Sequence, residues 1–276
     1  MNDTQTLGSP QVQPRSVGGL SVVAAARGGV SALSDLRQSG ALKALFPTPR
    51  GAGVTAVCIN TGGGIAGGDR FEISATAHAD ARLTLTTQAA ERVYRAAAAV
   101  PGRVTTRLTV ERGATLHWLP QETILFDGAR LRRRLRIEMA EDARLLMVEP
   151  VAFGRHARGE VLRGGAFEDR VAIDRAGAPF YRDATRLSGD IAGHLARPAI
   201  AGGAGAMALV VLAEPEAERH LPAARTVLPA GAGASSPAPG LLVARLLAGD
   251  SFDLRRALIP LLERLSGAAL PPVWRS

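Results

Sequence analysis

The most constraining stretch of this chain is Asn60-Thr61-Gly62-Gly63-Gly64-Ile65-Ala66-Gly67-Gly68-Asp69-Arg70, a glycine-dense loop between two apolar runs. Gly62, Gly64 and Gly67 satisfy G-x-G-x-x-G and follow a good strand, Val54 to Ile59, which is half of the context that dinucleotide binding requires. The other half is a helix whose N-terminal amides hold a pyrophosphate. Here Phe71, Ile73, Ala75 and Ala77 alternate instead with Glu72, Ser74, Thr76 and His78, and a period of two is that of a strand. The loop therefore joins strand to strand. Its glycines supply positive φ and close backbone approach, and it offers no helix dipole to a phosphate.

The same alternation recurs from Gly19 to about Arg175. Leu83 and Leu85 oppose Arg82 and Thr84, and Val104, Thr106, Leu108 and Val110 oppose Thr105, Arg107 and Thr109. Leu131, Leu135, Ile137 and Met139 oppose Arg132, Arg134, Arg136 and Glu138, which places a row of three arginines on one strand face. Turn signals at Glu111-Arg112-Gly113, Asp127-Gly128, Gly164-Gly165 and Arg175-Ala176-Gly177 are irregularly spaced. The pattern predicts a mainly β fold, a large layered, β-helix-like sheet architecture without detectable sequence repeats, and disfavours parallel α/β winding.

The few helices are expected towards the C-terminus. Met207 to Ala213 reads as a buried strand, and Glu214 to Leu228 as a helix interrupted near Pro222. Pro229 to Gly240 is almost entirely Ala, Gly, Ser and Pro and is expected to be a mobile loop. Leu241 to Ala248 resumes as a strand or helix start. Asp250 or Ser251 then caps a helix to about Leu265, with Leu254, Leu258, Leu261, Leu262 and Leu265 on one side and Pro260 kinking it. The expected organisation is a flexible tail, 1–16, followed by one β-rich domain, 17–276.

The chain carries a formal net charge of +8, and every Lys or Arg other than Lys43 is arginine. This favours bidentate contacts to carboxylates or phosphates, although coding composition alone can produce the same bias. Cys58 is the single cysteine, so neither an intramolecular disulfide nor a thiolate cluster can form. Met1 to Arg15 has no apolar core of a secretory signal, and Ala206 to Ala213 is far short of the about 20 residues that span a bilayer. A cytoplasmic protein without membrane contact is expected.

Catalytic signatures are missing from the sequence. There is no Walker motif ending in Gly-Lys-Ser/Thr, no Gly-x-Ser-x-Gly elbow, and the five histidines are scattered singly. The carboxylates Asp69, Glu122, Glu149 and Glu160 fall at expected strand ends or turns. Two readings of them stay open. They accept loop amides and pair with arginines, or they act as weak oxygen ligands to a passing divalent metal. The row Arg132, Arg134 and Arg136 suggests, as an alternative, an arginine-rich β-sheet nucleic-acid binder. With aromatics at only 4% and dispersed, base stacking lacks a platform.

Several segments together resemble the urease accessory protein family UreD, also called UreH. They are Asn60 to Arg70, Leu85-Thr86-Thr87-Gln88-Ala89-Ala90, Val93-Tyr94-Arg95, and Trp118-Leu119-Pro120-Gln121-Glu122-Thr123 with Ile124 to Ala129. Glu149, Phe153-Gly154-Arg155-His156-Ala157-Arg158-Gly159-Glu160, Leu254 to Leu258 and Pro271-Pro272-Val273-Trp274-Arg275 extend the similarity over nearly the whole chain. The resemblance implies a mainly β, non-enzymatic maturation factor. Such a factor binds the apo-urease structural subunits and, through UreF, recruits the GTPase UreG, so that nickel enters the urease site. It also implies transient Ni2+ with no tightly bound cofactor. By motif, Asp69, Glu122, Glu149 and Glu160 are the candidate nickel-passage carboxylates, and Thr86, Thr87, Gln88, Tyr94, Arg95, Gln121 and Arg155 are scaffold or passage positions. Arg27-Gly28-Gly29-Val30-Ser31 departs from the family pattern in lacking a threonine.

Overall fold

The computed structural model describes residues 15–48 and 51–275, so most of the expected tail 1–16 lies outside the described residues. Strands β1 (Val17–Arg27) and β2 (Val30–Gly40) form a hairpin, and β3 (Leu42–Leu45) pairs antiparallel with β4 (Val54–Asn60). The chain then winds in coils. The first is β5 (Arg70–Ala77), β6 (Arg82–Thr87) and β7 (Glu91–Val93), and the second is β8 (Gly102–Val110), β9 (Thr115–Leu119) and β10 (Thr123–Leu125). The third is β11 (Arg130–Met139) with β12 (Arg144–Phe153). β13 (Ala166–Arg175) and β14 (Ala178–Ser188) end that side as a hairpin.

Successive coils stack in parallel, so the mainly β, β-helix-like architecture is what the structure shows. One sheet has the order β14-β13-β11-β8-β5-β1-β2. Opposite it lies a ten-stranded sheet that includes β12-β9-β6-β4-β3, and β7 and β10 form a short third face. The coil corners repeat one device. Ala81, Ala114 and Ala143 are each fully buried after a tight turn, and the amides of Thr115 and Arg144 donate to the carbonyls of Ala81 and Ala114 at 2.8 Å.

Helix α1 (Ile191–Leu195) leads into β15 (Ala206–Ala213), followed by α2 (Leu221–Val227), β16 (Ala232–Ala238), β17 (Leu241–Ala248) and α3 (Ser251–Ser266). Two cores result. One fills the space between the sheets, and the other lies under α3, where Leu254, Leu258, Leu261, Leu262 and Leu265 meet Leu146, Val148, Val210 and Leu242. Asp250 caps α3 by accepting from the Asp253 amide at 2.9 Å. The helix continues through Pro260.

Two expectations are corrected. The Pro229–Gly240 tract is not a free loop: its centre is β16, an edge strand paired antiparallel with β17. Its small side chains contribute little, but the backbone ladder needs none. Pro222 likewise does not interrupt a helix. It sits in the first turn of α2, where its missing donor is not needed, after a short 3-10 turn at Ala217–His220.

Candidate functional site

Alternation decides which side chains enter the space between the sheets. In the seven-stranded sheet, Ala75, Leu108, Ile137 and Ile173 form one inward row across four strands. Another inward row reads Phe71, Val104, Arg133, Asp169 and Thr185, so parity forces a guanidinium and a carboxylate inside. Glu149 projects from β12 on the inward parity of Leu145 and Met147.

These groups meet. Arg133 bonds Glu149 at 2.8 Å, Asp169 at 2.5 Å and the Thr123 hydroxyl at 3.0 Å, which ties the two sheets and the third face together. The Trp118 indole donates to Glu149 at 2.7 Å. Burial pushes the Glu149 carboxyl up, and the Arg133 charge opposes that rise. Burial also works against the charge of Arg133, but Asp169 and Glu149 outweigh it, so the guanidinium stays firmly protonated. Glu149 and Asp169 line a cavity of about 400 Å³ together with Asp183, Thr185, Met207 and Arg245. Asp183 is ion-paired to Arg245 there.

The other passage carboxylates lie apart from this cluster. Asp69, 5% exposed, accepts the Ser16 amide at 2.8 Å and the Ala66 amide at 2.7 Å, so it pins the glycine loop to the start of β1. Glu122 pairs with Arg255 at 2.9 Å. Glu160 is held by the Arg155 guanidinium at 2.8 Å and by the Arg155 amide, which keep its carboxyl low, while Arg155 also lies over the Phe126 ring at 4.3 Å. Among the described residues, no three His, Cys, Asp or Glu side chains converge to hold a metal ion. The four predicted carboxylates are therefore not brought together.

The scaffold positions fall into two groups, Thr87 with Gln121, and Tyr94, Arg95 and Arg155 around Phe126 and Asp127, with Thr86 and Gln88 outside both. Thr87 accepts the Gln121 amide through its hydroxyl at 2.9 Å, and the Gln121 side chain bonds Thr87, Val273 and Arg255. The Gln88 side chain is exposed, and the Gln88 backbone N–H donates to the Cys58 carbonyl. Thr86 is buried with no partner for its hydroxyl among the described residues. Tyr94 donates to the Gly63 carbonyl at 2.8 Å and stacks edge-on against Phe126, while Arg95 pairs with Asp127. Gly64 shows why the loop needs glycine: at φ +151 a Cβ would lie 2.4 Å from the Tyr94 ring.

Two expected outcomes arise here. Asp69→Ala should destabilise the fold by about 1–3 kcal/mol, because two amides lose their acceptor. A chemical melt checks this, and an unchanged melt would mean the carboxylate has no structural task. Glu91 stands behind the same loop, bonded by Asn60 at 3.2 Å, and burial pushes its pKa up to about 7. A raised carboxylate stabilises fully below its unfolded value, and that contribution is lost as pH rises through 7. Glu91→Gln should therefore melt higher than the parent at pH 8, by about 1–3 kcal/mol, with the margin shrinking by pH 5. Equal margins at both pH values would contradict this.

Arg133 and Asp169 are not among the residues expected at a site from the sequence. The signal was present, since Arg133 shares the parity of Leu131, Leu135 and Ile137 rather than that of its three arginine neighbours.

A family model described as "UreD urease accessory protein" matches residues 16–275. The chain is 50% identical over 267 residues to the "Urease accessory protein UreD" of Roseobacter denitrificans, covering 97% of both chains. It is 52% identical over 247 residues to that of Ruegeria pomeroyi, covering 90% of this chain and 96% of the relative.

Proposed function

Because the chain belongs to the UreD urease accessory protein family, with the role in urease maturation which that implies, we propose that it is a non-catalytic scaffold. In this reading it binds apo-urease in the cytoplasm and, with UreF and UreG, lets nickel reach the urease active site. The observation that carries the reading is the end-to-end match at half identity, running from the start of β1 to Trp274 and Arg275.

The geometry is compatible with a scaffold that handles nickel as cargo. Glu149, Asp169 and Asp183 line one cavity, and each is held by an arginine, so a divalent ion passing there would meet oxygens already engaged and be bound only weakly. Asp69, Glu122 and Glu160 serve the fold elsewhere, through their amide and arginine partners. No helix of the described residues is long and apolar enough to cross a membrane.

Affinity purification of the tagged chain from cells expressing urease subunits, UreF and UreG tests the reading. Urease subunits should co-elute with the tagged chain, and UreG should do so only when UreF is present. Elution of the chain alone, from cells in which all partners accumulate, would overturn it.

A further inference from the structure

The outer face of the seven-stranded sheet is unlike the rest of the molecule. Its inward rows are apolar apart from Arg133, Asp169 and the threonines beside them, whereas the outward row across β8, β11, β13 and β14 reads Arg103, Arg132, Glu168 and Arg186, and the next rows carry Arg134 with Arg170 and Arg107 with Arg136. Arg103, Arg107, Arg134, Arg136 and Arg170 are all exposed, and no ion pair is found for them among the described residues. Among the described residues, helices α2 and α3 pack on the opposite sheet, away from this face.

Seven strands about 4.8 Å apart and roughly eight residues deep give a flat face on the order of 750 Å². That is close to the about 800 Å² per partner of a standard protein interface. The charge is graded along the strands. The arginine rows end at a row where Glu138 and Asp174 project from neighbouring strands, and Glu72 and Glu168 interrupt them. A nucleic-acid backbone, uniformly anionic, would be repelled at these carboxylates, and the rows offer no aromatic ring for base stacking. A folded protein with a mixed but mainly acidic surface matches both signs.

We propose that this face is a docking platform for a folded protein partner whose surface is rich in carboxylates. The arginines suit it because each guanidinium engages a carboxylate through two parallel hydrogen bonds. The chemistry is read from the face alone, and only the choice of probes rests on the maturation role.

The test measures binding of the full chain to purified apo-urease, UreF and UreG separately, at low and high salt, with a generic DNA duplex alongside. The variants are Arg134→Glu/Arg136→Glu/Arg170→Glu and the corresponding triple lysine substitution. These side chains are exposed and unbridged, so both variants should melt as the parent does. The glutamate variant should bind one protein probe about tenfold or more weaker, with a flatter salt dependence, while the lysine variant, which keeps the charge but loses the paired hydrogen bonds, falls between it and the parent. Undiminished binding of the glutamate variant to every probe the parent binds would overturn the platform and leave the maturation reading intact. A parent chain that binds none of the three would remove both. Tighter binding of the DNA than of any protein would overturn the platform in favour of a nucleic-acid face.

Discussion

Arg133→Met is expected to lower the unfolding free energy by about 3–5 kcal/mol, the usual cost of leaving a buried charge without its partner. The side chain is 11% exposed, and its guanidinium bonds carboxylates from both sides of the core, Glu149 and Asp169, as well as Thr123. Methionine fills much of the volume but leaves two carboxylates facing each other. Glu149 is already raised by burial with Arg133 present, so it should rise further without it. A raised carboxylate loses its stabilising contribution as pH increases, and the defect should therefore be larger at pH 8 than at pH 5. Adding Glu149→Gln and Asp169→Asn to the variant should recover most of the loss. Urea unfolding at both pH values measures this. A cost below about 1 kcal/mol, or one independent of pH, would mean that the arginine does not tie the sheets.

Trp274→Ala is expected to cost about 3–5 kcal/mol, as for other large aromatic truncations in a core. Trp274 is 1% exposed within the second core, and its indole donates to the Leu119 carbonyl at 3.1 Å. Around it, Gln121 bonds the Val273 carbonyl at 2.9 Å, and the Arg255 guanidinium lies 5.8 Å from the ring. Losing the ring should thus free the C-terminal segment from α3 and from the Thr87–Gln121 contact together. Trp274→Phe keeps most of the apolar contact and loses the hydrogen bond, so it should cost only about 1 kcal/mol. Urea unfolding of the two variants separates these contributions, and equal losses in both would show that packing is not what holds the end of the chain.

Much of the fold was legible because alternation is a local signal. The strand after Gly68 removed the phosphate-loop reading, and the parities of β5, β8 and β11 in the structure are those read from Phe71, Leu108 and Leu135. The coil repeat was not legible, since its recurring element is a single buried alanine after turns as different as His78-Ala79-Asp80 and Glu111-Arg112-Gly113. β16 was missed because its ladder is made by backbone groups, which a sequence of Ala, Gly and Ser does not advertise. The site divides in the same way. For Asp69 the sequence leaves loop acceptor and metal passage open: the Ala66 amide is three residues away, but the Ser16 amide, 53 residues away, is brought to it only by the pairing of β1 with β5. The meeting of Arg133, Glu149 and Asp169 depends on the stacking of coils, and single-strand patterns carry no information on which inward residues face each other across the core.

The most direct measurement of the central claim is the nickel content of urease purified from a strain lacking this chain, grown at limiting nickel. The account predicts urease protein at normal abundance but poor in nickel and inactive, with both restored when the chain is supplied again. Fully metallated, fully active urease in the deletion strain would contradict it.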